Sequence, residues 1–548
     1  MKKLSTTLIL CFVYGTLCLA QTTSLSYRFS YQMSGDKPQL HVQLTCRGTD
    51  SGVTYLQLPD KFANQNDFYK TVSNLTVDSK NATLEDTDDP SVKRLRHKRR
   101  KTLSISYTLT QDWTGELTYP KNFRGVIQPD FVQFTGYALL AMPKADSLHT
   151  VEVSLNWDNM PSAWTIGNSL HAGSRQYKGV LKQSDLSNSL FVAGDFRLHK
   201  TLVQGKPIFV AIRGNSWTFQ DSSLVNAIGK VIKAERDFWH DHNEPYYFVS
   251  LIPFASQGSY NGTALHQSFM LAMTNEFNLD INVYGLLSHE YFHRWNGVEI
   301  IMKGDEQENT WIGEGFTEYY TYKLLHRGGI ISLQEYVGKT NSTISDYYLS
   351  PVRNANKQEM GKNYWKSRDF QLLPYKKGFT YALYLEQLLR KKSKGQYSLD
   401  DVMFELRATA QKSQPITEAL FIQIVNRLTG EDITADHQKY IADGATIPVE
   451  KGSMGQHIAD TLVSIAPFEL GFNYDASIQA KKVIGVTENS AAWAAGLRND
   501  QTILGVSIYF GNIDVPVDIH IETEGQKKKI SYLPMSAQKQ TVRHFKVE

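Results

Sequence analysis

Hydrophobic and polar positions alternate over the N-terminal part of the chain. Leu40, Val42, Leu44 and Cys46 fall on every second residue, and so do Leu103, Ile105, Tyr107 and Leu109, and Val151, Val153, Leu155 and Trp157. Successive side chains of a strand point to opposite faces, so each run predicts a strand with one face in a core. Polar turns such as Ser34-Gly35-Asp36 separate the runs. Residues 21–184 therefore predict a β-sandwich-like domain. Over 185–452 the period becomes helical. Leu224 to Trp239 reads as an amphipathic helix, and Phe379 to Lys392 as another, carrying Tyr381, Leu383, Leu385, Leu388 and Leu389. Ser398-Leu399-Asp400-Asp401 predicts a capped helix start, and Pro415 to Leu428 continues in the same manner. Residues 453–548 return to short strands, Val483 to Val486 and Thr502 to Val506, around a small-residue segment. The expected fold class is multidomain α+β, with a β domain first, a mainly helical domain next and a small β/α domain last.

Composition narrows this picture. A chain of 548 residues exceeds what one hydrophobic core organises. With 41% hydrophobic and 21% charged residues it is a folded protein and not a disordered one. The formal net charge of +3 gives no bias toward nucleic acid or anionic lipid. Residues 1–20 read as a secretory signal: Lys2-Lys3, then the apolar run Leu8 to Tyr14, then Cys18-Leu19-Ala20 as a cleavage site. That run is too short to cross about 30 Å of hydrocarbon, and no later stretch predicts a transmembrane helix. The expected location is outside the cytoplasm, and the short signal points to a bacterial periplasm. Cys11 and Cys18 leave with the signal, so Cys46 remains alone, a core-facing strand residue with no disulfide partner. The basic run Lys93 to Lys101 lies beside the acidic Glu85-Asp86 and Asp88-Asp89, and reads as a solvated loop between strands.

One stretch carries chemistry. In His289-Glu290-Tyr291-Phe292-His293 the two histidines are four apart and share one face of a helix that Asp280 or Asn282 caps and Gly297 ends. Two imidazoles so placed can bind one Zn²⁺, and Glu290, one position on, borders that face as a general base without ligating. Chance alone gives this arrangement in roughly one such chain in fifty. A third donor, Glu314, follows twenty residues after His293, in Gly313-Glu314-Gly315-Phe316-Thr317-Glu318 on a second helix that stops at Gly328-Gly329. Two His and one Glu leave a fourth position open, the mark of a catalytic zinc site. Glu318, one turn after Glu314, is placed to accept a hydrogen bond from the far nitrogen of a ligand histidine.

His289 to Asn296 together with Gly313 to Tyr320 resembles the glycyl aminopeptidase family of zinc metallopeptidases, of the gluzincin group to which thermolysin belongs. Leu56 to Pro59, Phe68 to Val72, Pro374 to Phe379, Ser398 to Met403, Ile441 to Gly444 and Glu488 to Leu504 are similar to further segments of that family. The resemblance implies a β domain over 21–184, a thermolysin-like catalytic domain over 185–452 and a PDZ-like domain over 453–548. It implies one catalytic Zn²⁺, hydrolysis of peptide bonds in peptide or protein substrates, and a peptide ligand for the PDZ-like domain. It also implies that Tyr375 meets the oxyanion, and that Tyr260, Asn261 and Gly262 line the place of the substrate's amino end. Family members carry a glutamate in that upstream segment, whereas 257–263 here has no acid. A free ammonium favours a carboxylate partner, so an endopeptidase using the same site stands beside the aminopeptidase reading. A non-catalytic peptide-binding scaffold is the alternative from another class.

Overall fold

The alternating run from Leu40 to Cys46 lies in strand Lys37–Arg47, with all four side chains buried. This strand pairs with Thr23–Ser34 through a two-residue turn in which Gly35 takes φ +61°, the left-handed conformation such a turn requires. On its other side it pairs with Thr102–Thr110, inside a six-stranded sheet. Two four-stranded sheets face it, one containing Val53–Gln57 and Val92–His97, the other Phe131–Thr135 and Leu190–Gly194. Leu44, Ile105, Leu56, Leu95, Phe134 and Phe191 share one core, so the sandwich-like expectation describes this body. Because strand Leu190–Gly194 belongs to it, the body runs past the boundary expected at 184. Cys46 is 3% exposed and burial pushes its thiol up to about 12, as suits a core residue. The computed structural model describes residues 23–547, apart from 79, 81, 146–148, 256, 257 and 456. The signal expected at 1–20 lies outside the described residues.

Only the second half of the basic run, residues 98–101, is the exposed turn expected. Residues Val92–His97 form a strand paired with Ala82–Asp86, which carries Glu85 and Asp86. Lys93 meets Asp86 at 2.7 Å and Arg96 meets Glu85 at 2.7 Å, while Val92 and Leu95 point into the core. Cross-strand ion pairs offset the charge of this first half.

The middle of the chain opens with a five-stranded mixed sheet rather than helices, in the order Arg197–Val203, Lys206–Ile212, Tyr247–Pro253, Ser268–Met273, Tyr260–Leu265. Its central strands are buried on both faces, so they read as continuous apolar runs without alternation. Helices follow: Asp221–Trp239 between the strands, then Ile281–Phe292, Thr310–Arg327, Leu333–Leu349 and Arg368–Lys392. The last begins earlier than its apolar periodicity suggests and includes Pro374. It crosses Thr310–Arg327 at a glycine pair. A Cβ on Gly315 would sit 2.3 Å from Gly378 Cα, and one on Gly378 would sit 2.0 Å from the Trp311 carbonyl. That close crossing puts Tyr375 over Glu314. The expected cap holds, with Ser398 and Asp401 forming a capping box, and Thr417 in addition caps Glu418–Thr429.

The C-terminal region divides differently from the expected 453–548 unit. Ala459–Ile465 pairs with Gln540–Lys546, and Val542 and Phe545 join the core of the middle body. Asn341 clamps Phe545 by both its N–H and its carbonyl, at 2.8 Å each. The separate small core lies between, in residues such as Phe472, Val483, Leu497, Ile519 and Ile530. It is built on the three strands Thr502–Ser507, Val517–Thr523 and Gln526–Tyr532. Val483 to Val486 is not a strand; a single bridge, Lys482 to Thr502, stands beside it. Between Thr502–Ser507 and Val517–Thr523 the described chain contains turns and no helix. Among the described residues no helix is long and apolar enough to cross a membrane.

Candidate active site

Asp280 starts the histidine helix, its carboxylate accepting from the N–H groups of Asn282 at 2.9 Å and Val283 at 3.2 Å. The helix spans Ile281–Phe292 with His293 at its end, so it stops before Gly297, which instead takes φ +129° in the turn beyond. His289 and His293 project from one face. Glu314 reaches them from Thr310–Arg327. His289 Nε2 and His293 Nε2 are 3.1 Å apart, and Glu314 Oε2 lies 3.2 Å from the first and 3.5 Å from the second. Three donors about 2.0–2.1 Å from a tetrahedral Zn²⁺ are about 3.3–3.4 Å from one another. The triangle therefore already has the size of one face of a zinc tetrahedron, and among the described residues no fourth His, Cys, Asp or Glu joins the group.

The outer nitrogens are held. His289 Nδ1 lies 3.3 Å from Glu318 Oε2, and His293 Nδ1 donates to the Asn296 carbonyl at 3.0 Å. Both bonds place the proton on Nδ1 and turn the Nε2 lone pair toward the triangle. Burial by itself would lower His289, but Glu314 and Glu318 outweigh it and hold the imidazole up to about 10 in the metal-free protein. His293 is raised against burial by the same Glu314. Glu314 is held far below the usual carboxylate range, since His293 and His289 overcome its burial.

Glu290 is 8% exposed beside the triangle. Burial raises its carboxyl and the two imidazoles oppose the shift. The edge strand Tyr260–Leu265 runs along it. A Cβ on Gly262 would sit 2.5 Å from Glu290 Cγ and Oε1, so only a glycine lets this strand approach Glu290 so closely. Asn261 accepts from Asn122 Nδ2 at 2.9 Å, which ties the N-terminal body to the site. Tyr260 is half-exposed, its ring edge-on to Phe277 at 5.3 Å. The strand's lead-in has no acid of its own, yet the Gly258 N–H donates to Glu276 Oε1 at 2.6 Å, so a carboxylate from the next loop lies against it.

Tyr375 stacks on His289 with ring centres 5.5 Å apart, and its phenol lies beside Glu314. Burial first, and Glu314 next, keep the phenol protonated and therefore a donor. All of the expected residues thus gather here: His289, His293, Glu314, Glu290, Glu318 and Tyr375 at the centre, with Tyr260, Asn261 and Gly262 along the rim. Sequence reasoning missed three others. Tyr364 lies beside Tyr375; it falls in a turn with no periodic signal. Asn122 comes from a different domain. Asn296, in the quoted histidine segment, was read only as part of the motif.

Comparison with known proteins places this arrangement. Residues 282–371 match the family described as M61 glycyl aminopeptidase. Leucine aminopeptidase 2 of Aspergillus fumigatus is 25% identical over 171 residues, 31% of this chain and 26% of that protein. The match thus spans about a quarter of that relative's length. The crystal structure of an aminopeptidase N family protein from Idiomarina loihiensis superposes with a TM-score of 0.71 at 17% identity, covering 95% of this chain and 97% of that one, and shares the fold. An M1 zinc metallopeptidase from Deinococcus radiodurans covers 78% of this chain and 96% of its own at 14% identity, with a TM-score of 0.48. The segment that matches the M61 glycyl aminopeptidase family contains all three donors, both outer-nitrogen partners and Glu290.

Proposed function

We propose that this chain is a zinc-dependent peptidase of aminopeptidase type. The carrying observation is the donor triangle of His289, His293 and Glu314, with edges of 3.1, 3.2 and 3.5 Å, flanked by a buried carboxylate and a phenol. Bound Zn²⁺ would supply Lewis acidity, polarising the scissile carbonyl and acidifying water. The protein's own groups do the rest. Glu290 takes the proton from the attacking water and returns it to the leaving nitrogen. The Tyr375 hydroxyl donates to the oxyanion that develops on the carbonyl. Glu318 and the Asn296 carbonyl keep the two imidazoles in the right tautomer. The edge strand with Tyr260, Asn261 and Gly262 lies where a peptide would be laid beside Glu290.

The aminopeptidase mode draws support from the family and from Glu276 against the segment that leads into Tyr260. The endopeptidase reading is favoured by the lack of any acid within 257–263. Digestion of one peptide with a free and with an acetylated N-terminus separates them: an aminopeptidase cleaves the first and spares the second. Glu290→Gln should lose about 10²–10⁴ in kcat while zinc stays bound. Near-native turnover in zinc-replete mutant protein would sink the mechanism.

The small unit with its core around Phe472 and Ile519 is read as PDZ-like, with Leu470-Gly471-Phe472 as its candidate peptide-end loop. Isothermal titration with C-terminal peptides tests it. The signal at 1–20 supports export to a bacterial periplasm, which cell fractionation checks.

A further inference from the structure

We infer that Asn296 is a positioning residue that sets the spacing between the two halves of the metal site. The inference rests on the zinc reading of His289, His293 and Glu314. The donors come from two helices, and a triangle of fixed size needs something to hold those helices in register. Asn296 is 1% exposed and lies just past the end of the histidine helix. Its side-chain amide donates to the Ile312 carbonyl at 2.9 Å, the Gly313 carbonyl at 3.1 Å and Thr317 Oγ1 at 3.0 Å. Ile312 and Gly313 immediately precede Glu314, and Thr317 lies on the following turn. The amide therefore grips the glutamate helix on both sides of its ligand.

The backbone of the same residue acts on the other half. The Asn296 carbonyl accepts from His293 Nδ1 at 3.0 Å, and its N–H returns to the Phe292 carbonyl at 3.1 Å. The turn that aims this carbonyl depends on Gly297 at φ +129°, where a Cβ would sit 3.3 Å from His293 Nδ1. One residue thus orients a histidine ligand through its main chain and places the glutamate ligand through its side chain.

The chemistry of the grip selects asparagine. All three partners present acceptor oxygens to Asn296, because the Thr317 hydroxyl spends its proton on the Gly313 carbonyl at 2.6 Å. A carboxylate there would face acceptors only, and an alanine would remove the donor that the three share. Loss of a group that holds a ligand in place typically weakens metal binding about 10–100-fold.

The test uses the full mature chain and metal alone. Zinc affinity is measured by competition with a chromogenic chelator, and the visible spectrum of Co²⁺ in the same site reports its geometry. Asn296→Ala should weaken zinc about 10–100-fold and alter the Co²⁺ band, with Asn296→Asp at least as severe. Thr317→Val, which removes one acceptor, should shift both readouts less and in the same direction. Asn341→Ala breaks two hydrogen bonds far from the site and should lower the melting temperature without moving either readout. Zinc affinity within twofold of wild type in Asn296→Ala, or in Thr317→Val with an unchanged Co²⁺ spectrum if the first variant does not fold, overturns the inference. So does an equal loss of zinc affinity in Asn341→Ala. Wild-type protein that takes up no zinc overturns the metal reading itself.

Discussion

The two faces of the histidine helix bury charge in opposite ways. Behind it, Glu244 accepts from Arg236 at 3.0 Å, Tyr291 at 3.0 Å and Arg294 at 3.2 Å. Arg294 also pairs with Glu299 at 2.6 Å, Arg407 with Glu299 at 2.7 Å and with Asp241, and Trp295 donates to Asp241 at 3.0 Å. Three guanidiniums face three carboxylates, and the lattice is balanced. In front, Glu290, Glu314 and Glu318 surround two imidazoles and a phenol, with no guanidinium or ammonium among them. Glu235 shows what burial does to a carboxyl. It is 1% exposed, takes a hydrogen bond from Ser288 at 2.6 Å, and burial raises it well above the usual range against the pull of that hydrogen bond and of His289. Glu314, whose side chain is 23% exposed, is instead held low by its imidazoles. The back face is complete and serves rigidity; the front face has negative charge that only protonated histidines or a cation offset.

Breaking the back face should have the largest effect. Glu244→Ala leaves Arg236 buried without a carboxylate and Arg294 with Glu299 alone, and should cost about 3–5 kcal/mol in urea unfolding; a loss below about 1 kcal/mol would show that the lattice is not what holds the helix. Next, on the front face, Tyr375→Phe should lower kcat by about 10²–10³ with zinc content unchanged. An equal fall in zinc occupancy would make the tyrosine a scaffold for the donors instead. Glu318→Gln should weaken zinc about 10–100-fold and leave the fold intact, read by the same chelator competition.

A further effect is on pH. In the metal-free protein His289 is raised from 6.5 to about 10, so its bound proton adds stability that is full below 6.5 and lost as pH rises through 10. Chelated protein should therefore lose melting temperature across that window. Zinc affinity should rise over the same window, because protons and metal compete for the imidazoles. A chelated protein whose melting temperature climbs from pH 7 to 10 would contradict the ion-pair account of His289.

Much of the front face was legible because its geometry is local. His289, Glu290 and His293 follow from helical spacing, and Glu314 and Glu318 from the next helix and its own period. The five-stranded sheet was not legible, since strands such as Tyr247–Pro253 are apolar on both faces and lose the alternation that marks a strand. The first half of the basic run misled for a related reason: its charges pair with a neighbouring strand, which local composition does not reveal. Tyr364 and Asn122 carry no pattern at all, and matter only because of what they meet.

The sequence by itself determined the donor types, their order, the carboxylate between them and the cap that starts the histidine helix, because these depend on contacts a few residues apart. Tertiary structure decided the rest. The 3.1–3.5 Å triangle depends on two helices brought together by Asn296, and the place of Tyr375 depends on the Gly315–Gly378 crossing. The C-terminal strand Gln540–Lys546 returns to the middle body because Asn341, 204 residues earlier, binds Phe545. Such pairings are set by shape and hydrogen-bond complementarity between distant segments, which no local period encodes.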